Sequence, residues 1–165
     1  MTLTITVVNV NGSCAPLAGY AVYLWHCTRE GLYSLYTVLS QNYLRGVGVT
    51  DANGQVTFTS IFPGCYSGRY LHIHFEVYPS LTLASTYANR LLTSQFAMPT
   101  AASASASVYA TTAYASSNSN FAAITTAIDN VFGDNTTAQI AAMTPTMTGD
   151  ITNGYTGAVT VGLAL

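Results

Sequence analysis

Hydrophobic and polar positions alternate in several short runs along the first half of the chain. Thr2 to Val10 places Leu3, Ile5 and Val7 on one face and Thr4 and Thr6 on the other, the two-residue period of a half-buried strand. Asn11-Gly12 follows as a turn signal. Tyr20 to His26 is a dense aromatic and β-branched run that predicts a second strand. The turn Asp51-Ala52-Asn53-Gly54 feeds a third over Gln55 to Phe62, which Pro63-Gly64 ends, and Tyr70 to Tyr78 alternates again. Tyr155 to Leu163 reads as a last strand returning to the sheet. Residues 79–120 are rich in Ala, Ser, Thr and Tyr. They read as long surface excursions with short strands, in which Leu91, Leu92, Phe96, Val108 and Tyr109 need burial. Short helices are predicted over Phe121 to Ile128 and Thr136 to Ala142, the second capped by Asp134 or Asn135. Many short strands with little helix predict an all-β fold: one β-sandwich domain over residues 1–165, with long loops and short helical turns.

Composition narrows the partners. Hydrophobic residues make up 50% of the 165, enough for a packed core, whereas charged residues make up only 6%. The chain has no lysine, and its cations are Arg29, Arg45, Arg69 and Arg90. With a net charge of −2 and no basic patch, neither nucleic acid nor an anionic membrane surface is an expected partner. No apolar run is long enough to span a bilayer, and Met1 leads into the first strand without the basic start of a signal peptide. A surface solvated by Ser, Thr, Asn and Tyr suits an extracellular setting and repels its own copies poorly. A homo-oligomer, up to an extended assembly, is therefore expected. Of the three cysteines, Cys14 and Cys27 could pair and leave Cys65 over, or all three could be buried thiols. Trp25 and His26 read as core residues, Arg45 as structural through Asp51 or a carbonyl, and Tyr36, Tyr43 and Tyr70 as pocket wall or surface.

The candidate chemistry centres on His72-Ile73-His74. Side chains at i and i+2 of a strand share a face, about 6.6 Å apart at Cα, so two imidazoles can converge on one metal ion or simply stand half-exposed. Tyr66 lies six residues upstream in a loop bounded by glycines, and Tyr33 follows the strand that His26 ends. A phenol has to lose a proton of pKa about 10 to bind a metal, which a strongly Lewis-acidic hard ion such as Fe(III) compensates and zinc or magnesium does poorly.

These residues lie in ordered motifs: Trp25-His26-Cys27, Gly31-Leu32-Tyr33-Ser34, Leu44-Arg45-Gly46, Thr50-Asp51-Ala52-Asn53-Gly54, Pro63-Gly64-Cys65-Tyr66-Ser67-Gly68-Arg69 and His72-Ile73-His74. Thr93-Ser94-Gln95, Asp129-Asn130-Val131-Phe132 and Thr148-Gly149-Asp150 follow. Over nearly its whole length the chain resembles the intradiol ring-cleavage dioxygenases, most of all the short extracellular branch. The resemblance implies a prealbumin-like β-sandwich with a non-haem Fe(III) held by Tyr33, Tyr66, His72 and His74. It implies a catechol-type substrate cleaved with O2 to a cis,cis-muconate, with Tyr66 leaving the iron to take a substrate proton. It also implies that Arg69 offers a fixed cation to the bound ring. Gly48 stands where the family often carries Gln, a change expected either in the groups around the metal ligands or at the pocket wall, and the segment that often precedes the first strand is not seen. A structural, self-assembling subunit that keeps the fold and its metal site is the alternative reading.

Overall fold

The computed structural model describes residues 1–99 and 104–165. Its strands are β1 (Thr2–Asn9), β2 (Ala15–Pro16), β3 (Ala21–Trp25), β4 (Arg45–Val49), β5 (Gln55–Thr59), β6 (His72–Tyr78), β7 (Leu92–Ala97), β8 (Thr146–Asp150) and β9 (Gly154–Leu163). They form the predicted all-β sandwich. One sheet runs β2-β1-β9-β8, with β5 also on β1, and the other runs β4-β3-β6-β7. Every pairing is antiparallel except β1 with β9, whose register joins Thr2 to Thr156 and Asn9 to Leu163.

The alternation is what packs the sheets. Leu3, Ile5 and Val7 of β1 and Tyr155, Val159 and Val161 of β9 face Val22 and Leu24 of β3 and Ile73, Phe75 and Val77 of β6. Phe75 stacks on Phe96 of β7 at 4.1 Å between centroids. At β4 the inward positions are Gly46 and Gly48. A Cβ at Gly48 would meet Val56 Cγ2 at 2.4 Å, so the position faces the core and β5 fills it. The expected change around the metal ligands or at the pocket wall is corrected accordingly: Gly48 alters the contact between the sheets.

Residues 79–120 hold more order than their composition signals. Their described residues contain β7, the helix α1 (Ser105–Tyr109) and the start of α2 (Ala115–Ala123). Phe96, Val108 and Tyr109 are buried as expected, while Leu91 stays exposed. The helix predicted from Phe121 to Ile128 is instead the end of α2 followed by a 3-10 turn over Thr126–Ile128. Helix α3 (Thr137–Met143) starts at Thr136, which exchanges capping hydrogen bonds with Gln139, so neither Asp134 nor Asn135 is the cap. No described helix is long and apolar enough to cross a membrane.

The cysteines are free thiols. Cys14 is exposed in a turn, whereas Cys27 and Cys65 are buried, so the Cys14–Cys27 bridge is not formed. Tyr70 is not at the surface: it is buried, its hydroxyl donates to the Met98 carbonyl, its ring packs on Phe132, and it lines a cavity with Met98, Ile124 and Ile140. Arg45 bonds the Ser34 carbonyl, Ser34 Oγ and Tyr23 Oη, while Asp51 accepts from the Asn53 and Gln55 amides of its own turn.

His26 is a satisfied core histidine. One ring nitrogen meets the Cys27 carbonyl at 2.8 Å and the other Ser60 Oγ at 2.7 Å. Burial lowers its pKa to about 4, against the upward pull of the Cys27 carbonyl. The unfolded chain, with an ordinary histidine near 6.5, then takes up the proton first on acidification. Stability carried by this group is complete above pH 6.5 and falls by about 3 kcal/mol as the pH drops to 4. Urea denaturation at pH 8 and pH 5 should show the loss, to which the similarly lowered His72 and His74 also contribute, and His26→Asn should reduce the difference by about 2 kcal/mol. An unchanged slope in that variant would refute the assignment to His26.

Candidate metal centre

Strand β6 presents His72, His74, Glu76 and Tyr78 on its outer face because Ile73, Phe75 and Val77 occupy the core. The β3 partner of His74 is Trp25, whose ring lies parallel to the imidazole at 4.7 Å. The buried indole thus fixes the plane of His74. His72 is 2% exposed, and its Nδ1 lies against the Tyr70 carbonyl. Donation from Nδ1–H there leaves the Nε2 lone pair pointing away from the core, the tautomer that a metal ligand needs.

Two loops bring the phenols over this strand. Tyr33 arrives from the turn after β3, and Tyr66 from the loop between β5 and β6. Gly31 has φ +85°, and a Cβ there would meet Tyr66 Cβ at 2.6 Å. At Gly64 a Cβ would meet the Thr28 carbonyl oxygen at 2.3 Å. Glycine at these two places lets the loops touch. The helical segment then clamps them. Ser117 of α2 accepts from the Cys65 amide and donates to the Arg29 carbonyl, Tyr109 and Tyr114 donate to the Pro63 and Phe62 carbonyls, and Asn120 donates to the Cys65 carbonyl. The backbone around Tyr66 is therefore tied down, and any movement of this phenol belongs to its side chain.

The four donors converge. Tyr33 Oη lies 3.0 Å from His72 Nε2, Tyr66 Oη 3.5 Å from the same atom, and His74 Nε2 3.1 Å from it. Donors about 2.1 Å from a common ion and roughly at right angles to each other stand about 3 Å apart, so the spacing fits one metal ion. No cluster of three or more His, Cys, Asp or Glu occurs among the described residues, so tyrosine has to complete any such set here. Burial lowers the pKa of His72 to about 4 and that of His74 to about 3, His74 being held down further by His72 and both by the Arg69 charge. Both rings are therefore neutral near pH 7. Burial raises both phenols, Tyr33 also through Cys27, while Tyr66 is eased by its hydrogen bond to Tyr33 and by Arg69. Without a strong Lewis acid neither phenol ionises.

Arg69 is held at this cluster as a fixed cation. Its Nε donates to Asp129 Oδ2 at 2.9 Å and its Nη2 to Gln95 Oε1 at 2.7 Å. Asp129 has a fully buried side chain and also accepts from the Tyr70, Val131 and Phe132 amides. Burial alone would raise its pKa, but Arg69 and these amides outweigh it and hold the carboxyl below its ordinary value. The structure thus brings Tyr33, Tyr66, Arg69, His72 and His74 together. It adds Trp25, Gln95 and Asp129, whose part sequence reasoning missed. The available signal for Asp129 was scarcity: one of six acids in a chain with four cations is a strong candidate for a buried pair.

Two phenols and two imidazoles thus meet on the outer face of one sheet of the sandwich, and solved structures share this fold. An intradiol ring-cleavage dioxygenase from Tetranychus urticae superposes with a TM-score of 0.80 at 22% identity, covering 99% of this chain and 79% of that one. The dioxygenase domain of a carbohydrate-binding fusion protein from Streptomyces sp. SirexAA-E gives 0.64 at 21% identity, covering 99% and 79%. Catechol 1,2-dioxygenase from Pseudomonas arvilla C-1 gives 0.58 at 21%, covering 99% of this chain and 52% of that one. No curated protein matches in sequence. By its sequence the chain belongs to the dioxygenase family, whose family model matches residues 1–128.

Proposed function

We propose that the protein is a non-haem Fe(III) intradiol dioxygenase that cleaves a catechol between its two hydroxylated carbons to a cis,cis-muconate. The observation that carries this reading is the meeting of Tyr33 Oη, Tyr66 Oη, His72 Nε2 and His74 Nε2 around one point. Bound there, ferric iron would supply the Lewis acidity that ionises phenols and a catechol and the electron-accepting character that lets the ring react with O2. The residues do the rest. His72 and His74 hold neutral lone pairs in place through the Tyr70 carbonyl and the Trp25 ring. Tyr33, 8% exposed, is the permanent phenolate, and the less buried Tyr66 is the one that turns away and takes the substrate proton at its Oη. Arg69, fixed by Asp129 and Gln95, presents positive charge to oxyanionic character on the ring. Catechol plus O2 gives the muconate with both oxygen atoms in the product carboxyls, so no outside reductant is needed. Protein loaded with Fe(III) should absorb broadly in the visible and consume catechol and O2 in equal amounts. A colourless, inert iron-loaded protein would overturn the reading.

A second reading, compatible with the first, is self-association, and β4 favours it. This edge strand leaves Val47 and Val49 each 44% exposed and carries one charged residue, Arg45. An edge with so little charge is open to pairing with a second copy. Light scattering at micromolar concentration should report a homo-oligomer, and Val49→Lys should shift it towards monomer; a monomeric parent protein would sink the idea. The uncharged surface also supports an extracellular location, which fractionation of the source culture tests.

A further inference from the structure

The outer face of the β3–β6–β7 sheet continues past the metal-binding histidines. Cross-strand register places Trp25, His74 and Gln95 in one row and Tyr23, Glu76 and Thr93 in the next. That second row opens into a groove of about 360 Å³ walled by Tyr23, Trp25, Tyr36 and Tyr87, with Glu76 and Tyr78 at its base. The groove begins at the candidate metal centre itself: Trp25 stacks on His74, and the Tyr36 ring meets the edge of Tyr33 at 6.2 Å.

Glu76 gives the groove its character. It is only 6% exposed, and a buried carboxylate is costly unless it is paired. The two ion pairs among the described residues involve other acids, Glu30 and Asp129. Glu76 accepts from Tyr78 Oη at 2.6 Å and, at a long 3.4 Å, from Thr93 Oγ1. Two carboxylate oxygens offer about four acceptor sites, so acceptor capacity remains on a residue that lines the groove. The two nearby arginines form no ion pair with Glu76. Arg45 bonds Ser34 and Tyr23 and lies over Tyr36, and Arg90 lies over Tyr87 and bonds its carbonyl. The guanidinium groups already cover those two tyrosine faces, which leaves the Glu76 carboxylate as the groove's contact for a further cation.

We propose that this groove binds a protonated amine carried on the substrate ring, so that the preferred substrates are catechols with a short aminoalkyl chain. The inference rests on the ring-cleavage reading for the position of the catechol. With the ring at the His–Tyr cluster, an ammonium two or three atoms away crosses one strand repeat, about 6.6 Å, and reaches the Glu76 carboxylate between aromatic walls. A catechol bearing a carboxylate at the same place would meet Glu76 with like charge.

The test compares 4-(2-aminoethyl)catechol with its neutral counterpart 4-propylcatechol by calorimetric titration of the iron-loaded protein. Phenethylamine, which has no ring hydroxyls, is titrated against the same protein as a probe that does not need the metal. The amine should be preferred over the propyl compound roughly tenfold. Glu76→Gln, which keeps the shape and removes the charge, should abolish that ratio and weaken phenethylamine equally. Tyr87→Ala, at an exposed wall position, should lower the ratio severalfold without touching the core. Equal affinity for the two catechols in the parent protein, or a ratio unchanged in Glu76→Gln, overturns the groove assignment and leaves ring cleavage standing. Phenethylamine binding that depends on Glu76, in a protein that cleaves no catechol, upholds the groove and sinks the ring-cleavage reading.

Discussion

Tyr33→Phe is expected to lower iron occupancy and to abolish the visible phenolate absorption that persists when catechol is bound. Tyr66→Phe is expected to retain more iron, still bind catechol and lose mainly turnover. The difference follows from position. Tyr33 is buried against Cys27, Trp25 and the edge of Tyr66, with its hydroxyl 3.0 Å from His72 Nε2, whereas Tyr66 is less buried and 3.5 Å from that atom. His72→Ala and His74→Ala should each reduce iron affinity by more than the roughly 10–100-fold that loss of an outer hydrogen-bond partner costs. Among the described residues no other histidine or acid is clustered to take their place. Iron content by elemental analysis and the visible spectrum with and without catechol measure both effects. A double Tyr33→Phe, Tyr66→Phe variant with full iron and full activity would show that the site is assigned wrongly.

Asp129→Ala should be the most damaging single change outside the four donors. It removes a fully buried carboxylate that accepts from Arg69 and three backbone amides, and so strands a cation at 16% side-chain exposure. Breaking a buried pair from one side costs about 3–5 kcal/mol, or roughly 10 °C in Tm for a chain of this length. Turnover should fall further than stability explains, because Arg69 then keeps only Gln95 to orient it. Thermal denaturation of Asp129→Ala, Arg69→Ala and the double variant separates the terms. The double variant should be less damaged than the sum of the singles, and strict additivity would argue against the pair.

Much of this architecture is legible in the sequence where the two-residue period is clean. β1, β3, β5 and β6 lie within the predicted runs and β9 starts one residue before its own, with no end differing by more than three residues. β4 is invisible because glycine at its two inward positions, Gly46 and Gly48, erases the alternation, and β8 because Thr146-Met147-Thr148-Gly149-Asp150 carries a single large apolar residue. α1 and α2 escape because Ala, Ser and Asn give them no apolar stripe; what they and the 3-10 turn between them supply to the site is the hydroxyls and amide of Tyr109, Tyr114, Ser117 and Asn120. Around the candidate site, motif order singles out Tyr33, Tyr66, Arg69, His72 and His74. The links from Arg69 to Asp129, 60 residues on, and to Gln95, 26 residues on, are made by the fold and carry no local pattern.

The parallel seam between β1 and β9 sets the timetable of folding. A strand from residues 2–9 finds its central neighbour only in residues 154–163, almost the whole chain away, and every other strand has emerged from the ribosome before that neighbour exists. The β4-β3-β6-β7 sheet, which bears His72 and His74 and adjoins the loops of Tyr33 and Tyr66, can pair early, yet its inward face stays only partly covered, by β1 and β5, until β9 docks. Such distant pairing makes folding slow and leaves a nascent chain with exposed apolar surface during synthesis. A stop codon ahead of Gly154 should therefore yield aggregates rather than a smaller working sandwich.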